Sequence, residues 1–171
     1  MSPDHWFESG YESTPIERYV VVQMGDSDLL IPQQQTHSLE PSIDVMRSQA
    51  EGVGWFTLDG NRSPVYCLSD DLQPTTEVPA DRRICVLLNI DGEKFGLLCT
   101  NVALFEQTDP HVEPVPECMR IPDLPIRGLV VHGEKILYVT SAQDLLSCLD
   151  QAMQQTVISA HLRNTREARD E

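Results

Sequence analysis

Between Asp109 and Cys118 the chain gathers five candidate metal ligands: Asp109, His111, Glu113, Glu117 and Cys118. A bound ion needs such donors on a common centre, usually supplied by an i, i+4 pair on a helix or by a Cys-x-x-Cys turn. No Cys-x-x-Cys turn occurs, and although Asp109 with Glu113 and Glu113 with Glu117 stand four apart, Pro110, Pro114 and Pro116 deny them a helix and splay the donors apart. A solvated loop between strands is the stronger reading, with a metal centre in this loop kept as an alternative. His37, His132 and His161 stand alone and are weaker ligands still.

Other reactive groupings are thinner. Asp70-Asp71 pairs two carboxylates, yet neighbours on a strand end or in a first helical turn point apart, so both are expected to be solvated. Cys67 stands in an apolar strand, where a thiol is buried and inert. A serine nucleophile wants a Gly-x-Ser-x-Gly elbow and a phosphate cradle wants a glycine-rich loop opening a helix. Neither exists, because "EGVGW" leads into a strand. The sequon Asn61-Arg62-Ser63 has no meaning in a cytoplasmic chain.

The elements around these residues belong to a packed protein of 171 residues, enough for one domain or two small subdomains sharing a core. With 12 basic against 27 acidic residues and a formal charge of -15, the chain repels phosphate, so nucleic acid and anionic membrane are poor partners. The acidity either keeps the protein soluble or steers basic patches of other proteins toward it. No apolar run reaches the roughly 18 residues that span a bilayer, and no basic start precedes an apolar core, so neither membrane insertion nor secretion is expected. Cys67, Cys85, Cys99, Cys118 and Cys148 form an odd set without close pairs, which fits reduced thiols in the cytoplasm.

Residues 1–16 read as a flexible acidic tail carrying Trp6, Phe7 and Tyr11 as candidate docking residues. From Tyr19 the pattern turns to β: "YVVVQM" and "LLI" flank the turn "GDSD". A short helix is expected near Val45 to Ala50. Asp59-Gly60 and Asp91-Gly92 mark tight hairpins, and His132-Gly133 plays the same part later. The strand from Arg83 to Ile90 is apolar on nearly both faces and is therefore central. Nine or ten short strands follow in all, which suggests small barrels. "DPHVEPVPECMRIPDLP" is too broken for strand or helix. A closing helix begins where Ser141 with Asp144 resembles a capping box and carries Leu145, Leu149, Ala152, Met153, Thr156 and Ala160 on one stripe; "TREARDE" is frayed.

One phrase recurs. "GWFTLDGNRSPVYCL" at Gly54 returns as "GLVVHGEKILYVT" at Gly128, which implies two subdomains of similar build. With "EKFGLLCTNV" and "RGLVVHGEKILYVTSAQDLL", the chain from about residue 17 to 148 resembles a CheW-like chemotaxis coupling domain. Gly54, Leu58, Gly60, Pro64, Val65 and Leu68 carry the likeness in the first hairpin. Gly96, Leu97, Leu98 and Val102 carry it later, and Gly128, Leu137, Leu145 and Leu146 carry it at the close.

The resemblance implies a mainly β fold: two small five-stranded SH3-like or OB-like barrels related by pseudo-symmetry, with a C-terminal helix running past residue 148. It implies no active site and no cofactor. The partners would be the cytoplasmic tip of a methyl-accepting chemoreceptor and a CheA-like histidine kinase, with Trp55, Leu58, Asp59, Arg62, Val102 and Leu104 as partner-binding residues. Departures accompany it. The family's Asn-Leu-Arg-Gly turn is Thr57-Leu58-Asp59-Gly60 here, which turns an attraction into a repulsion of roughly a kcal/mol. Cys67 and Thr100 replace aspartates, and Gln35 to Leu39 is unusually polar. Arg62 is a candidate for restoring the lost positive charge. These changes imply a divergent adaptor, with a type IV pilus chemosensory pathway for twitching motility as one setting. A β interaction module outside chemosensing is the further alternative.

Overall fold

The computed structural model describes residues 16–48, 52–122 and 124–152. Trp6, Phe7, Tyr11, the distal stripe of Met153, Thr156 and Ala160, and the charged C-terminal stretch lie outside them.

Branched apolar runs broken by two-residue turns favour hairpins, and hairpins dominate the chain. The strands are β1 Tyr19–Met24, β2 Ser27–Pro32, β3 Thr36–Pro41, β4 Met46–Arg47, β5 Gly54–Leu58, β6 Asn61–Leu68 and β7 Pro74–Thr75. They continue with β8 Ile84–Ile90, β9 Glu93–Cys99, β10 Asn101–Leu104, β11 Glu113–Pro114, β12 Gly128–His132 and β13 Lys135–Val139. Helix α1, 142–152, follows. Asp59 and Gly60 have φ of 51° and 78°, and Asp91 and Gly92 have 48° and 90°. These positive pairs are what the Asp-Gly signals require. In the later hairpin His132 pairs with Lys135, so the loop is Gly133-Glu134, one residue beyond the expected His132-Gly133. Gly133 takes the positive φ of 63° that the first loop position needs.

The strands form two sheets, ordered β10-β1-β2-β13-β12-β11 and β3-β8-β9-β6-β5-β4, with β7 beside β6. Setting aside β4, β7 and β11, each only two residues long, both sheets have five strands and share one plan. The hairpin β5–β6 stands where β12–β13 stands in the other sheet, and the parallel pair β6/β9 matches β13/β2. The recurring phrase is thus one hairpin in each subdomain. The chain's first hairpin, β1–β2, completes the sheet that its last hairpin begins.

Burial follows strand alternation. On β8, Val86 and Leu88 join a core with Val20, Val22, Leu29 and Ile31 from the opposite sheet, while Cys85 and Leu87 face the interior of their own. β8 pairs with both β3 and β9, so the doubly apolar strand is indeed central. Leu30, Val130, Leu137 and Val139 fill the other subdomain. The shared core is a seam between sheets, closed by Ala142, Leu145 and Leu149 of α1.

Two local expectations are corrected. In place of a helix near Val45, a 3-10 turn at Ser42–Asp44 leads into β4, because Met46 and Arg47 are drawn into pairing with Trp55 and Gly54. The approach needs glycine, since a Cβ at Gly54 would collide with the Met46 carbonyl. The proline-rich loop also holds a bridge, Glu113 to Leu129 and Pro114 to Gly128, and a 3-10 turn at Glu117–Met119.

At the start of α1 the Ser141 hydroxyl accepts from the Asp144 N–H at 3.2 Å, and the Gln35 side-chain oxygen accepts from the Ala142 N–H at 2.7 Å. Asp144 does not close the box reciprocally; its carboxylate is taken by Arg127. Ser141→Ala should therefore cost about 1 kcal/mol. Leu145→Ala, which opens the seam, should cost about 2–5 kcal/mol in urea denaturation.

Candidate functional site

Because β6 and β9 run parallel, their N-terminal ends lie together, and the 59–60 turn is brought beside the 91–92 turn. Helix α1 crosses the same side. Between them lies an open groove of about 440 Å³ with Leu58, Pro64, Tyr66, Phe95 and Leu146 as its apolar lining. Tyr66 and Phe95 meet edge to face at 6.2 Å, and the Tyr66 hydroxyl donates to Asp150 Oδ1 at 3.3 Å, tying β6 to α1. Asp59, Arg62, Glu93, Lys94 and Asp150 add charge around it.

Three of the six residues expected to bind partners, Leu58, Asp59 and Arg62, line this groove. Trp55 adjoins it: the Arg62 guanidinium lies 4.8 Å from the centroid of its ring, a cation–π contact. Arg62 is thereby turned along the hairpin and forms no ion pair with Asp59. Val102 and Leu104 are elsewhere, on β10 at the edge of the other sheet, where Val102 packs on the seam and Leu104 is 65% exposed.

Sequence reasoning missed Arg82. Its side chain is wholly buried, with Nη2 donating to Asp70 Oδ1 at 2.6 Å and Nη1 to Asp81 Oδ1 at 2.9 Å and to Thr100 Oγ1 at 3.2 Å. Burial alone would lower the arginine's pKa, but the two carboxylates hold it above its ordinary value. Thr100 also accepts from the Gly25 N–H at 3.3 Å, and the Ser27 hydroxyl donates to the Asp70 carbonyl at 2.7 Å. The cluster therefore joins the turn of β1–β2 to loops of the opposite sheet. Asp70 is exposed, as expected, and serves at the same time as the counter-ion of a buried cation. The one available signal was an aspartate on each side of the β7 loop.

Cys67, Cys85 and Cys99 are buried. Burial raises all three thiols, Cys85 and Cys99 to about 12, with Arg82 only partly opposing the shift at Cys67. Among the described residues no group of three or more His, Cys, Asp or Glu side chains is placed to hold a metal ion, and Asp109, His111, Glu113, Glu117 and Cys118 are exposed along their loop. No described helix is long and apolar enough to cross a membrane.

No protein-family model and no curated protein matches the sequence. Among solved structures the chain is similar to the scaffolding protein TtCheW from Thermoanaerobacter tengcongensis, with a TM-score of 0.60 at 16% identity, over 72% of this chain and 88% of that one. The fold is CheW-like: mainly β, two subdomains and a C-terminal helix.

Two outcomes are expected. Asp70→Asn with Asp81→Asn strands a buried cation and should cost about 3–5 kcal/mol, more than Arg82→Met, which leaves two half-exposed carboxylates; urea titration ranks the two. Stability should also fall as pH rises from about 9 toward 12. The unfolded chain loses thiol protons near 9.0, whereas the folded chain holds those of Cys85 and Cys99 to about 12, and Tyr19 adds to the trend. Urea midpoints measured across that range check this.

Proposed function

We propose that the chain is a non-enzymatic signalling adaptor that couples a methyl-accepting chemoreceptor to a CheA-like histidine kinase. The observation that carries this reading is the CheW-like pair of pseudo-symmetric sheets welded by one seam, shared with a protein described as a scaffold. The arrangement favours binding over turnover. The guanidinium at the centre of its polar cluster is buried and held by carboxylates, its central thiols are buried and protonated, and its groove is open and partly apolar. In this reading the groove beside the 59–60 turn and the β10 edge are separate docking surfaces on one rigid body. Modest interfaces of this kind give reversible assembly.

The acid at the hairpin turn sets partner choice. An aspartate at position 59 disfavours the receptors and kinases that expect a basic residue there, which supports a specialised chemosensory pathway such as one serving type IV pili. Capture of a CheA-like kinase and a receptor cytoplasmic tip by the purified protein tests the adaptor role, and capture of neither would overturn it. Asp59→Arg should tighten binding to an ordinary receptor and kinase by about tenfold, read by titration calorimetry. An unchanged affinity would remove Asp59 as the specificity element.

A further inference from the structure

We propose that the groove between the 59–60 turn, the 91–92 turn and α1 receives the apolar stripe of a partner helix flanked by lysine or arginine. The inference deepens the adaptor reading, on which it rests for the premise that this groove is a docking surface. Leu58, Pro64, Phe95 and Leu146 line it with an apolar strip drawn from four separate elements, β5, β6, β9 and α1. A helix is about 10–12 Å across, so about 440 Å³ accepts one or two of its large side chains while its flanks reach the rim.

The charge of that rim selects the flanks. Asp59, Glu93 and Asp150 stand against Arg62 and Lys94. None of the five is in an ion pair among the described residues, whose salt bridges lie elsewhere. Arg62 is engaged with the face of Trp55, which holds its charge on the hairpin. Asp150 is held by the Tyr66 hydroxyl but keeps its charge, so the rim sets three carboxylates against two cations, and Asp59 and Glu93, at the two hairpin ends, face the groove without a salt bridge. The -15 charge of the whole chain adds a long-range pull on basic partners, and the groove converts that pull into a located contact.

The test uses two synthetic peptides of about 18 residues, long enough for a helix to persist. Both carry the same leucine stripe; one has lysine flanks and the other glutamate flanks. Titrated into the full chain, the lysine peptide should bind at least about tenfold more tightly, with affinity falling as salt rises. Asp59→Asn with Glu93→Lys should abolish the preference. Glu106→Lys with Glu117→Gln changes net charge equally at exposed sites outside the groove and should preserve it. Equal binding of the two peptides, binding of neither, or loss of preference in both variants would overturn the proposal. Far-ultraviolet circular dichroism of each variant separates misfolding from lost recognition. A preserved peptide preference with no capture of receptor or kinase counts against the adaptor reading alone, whereas the reverse outcome counts against the groove.

Discussion

Every part of this molecule answers to the seam between its two sheets. Strands β1, β2, β6, β8 and β9 each send alternate residues into it, and α1 covers its margin. Burying large aliphatic side chains contributes about 1.5–3 kcal/mol each, so this shared core outweighs any single polar contact. The price is topological: the sheet begun by the last hairpin is finished by the first, through the short parallel register of Leu29 with Tyr138 and Leu30 with Val139. Ends of the chain far apart in sequence must therefore meet before either subdomain is whole.

The Arg82 cluster secures that meeting from the other side. A buried guanidinium flanked by two carboxylates contributes little net stability compared with an apolar replacement, but it tolerates few arrangements. Here it fixes the β1–β2 turn against the loops that follow β6 and β9. The short reach of the Gly25 backbone is part of this fit, since a Cβ there would collide with the Asp70 carboxylate. Orientation of the two subdomains is thus set twice, once by apolar area and once by directional hydrogen bonds. Surfaces carried by different sheets therefore keep a constant relation.

Much of this was legible in the sequence, for identifiable reasons. Asp-Gly turns impose positive φ locally, so the hairpins at 59–60 and 91–92 could be placed from two residues each. The doubly apolar strand from Arg83 to Ile90 announced its central position. Ser141 announced the cap of α1. What failed depended on distant partners. The stretch after Val45 has weak preferences of its own and becomes extended only because Gly54 admits its backbone. Asp70 is exposed as expected, but its pairing stayed hidden because the cation that claims it lies twelve positions away, and Arg82 looked like any loop arginine. Of the expected contact residues, Leu58, Asp59 and Arg62 share a groove by strand register, whereas Val102 and Leu104 follow β10 to the opposite sheet. Which hairpin turn lies beside which is a property of parallel pairing that no local pattern encodes.

The measurement that bears most directly on this architecture is native-state hydrogen exchange, resolved by residue and followed with increasing denaturant. If the seam makes the two sheets one cooperative body, the amides of Val22 and Leu30 should open with the same free energy and denaturant dependence as those of Val86 and Leu97. Opening of the β1–β2 hairpin at a distinctly lower free energy, while β8 and β9 stay protected, would contradict it and leave two loosely joined subdomains in place of one rigid body.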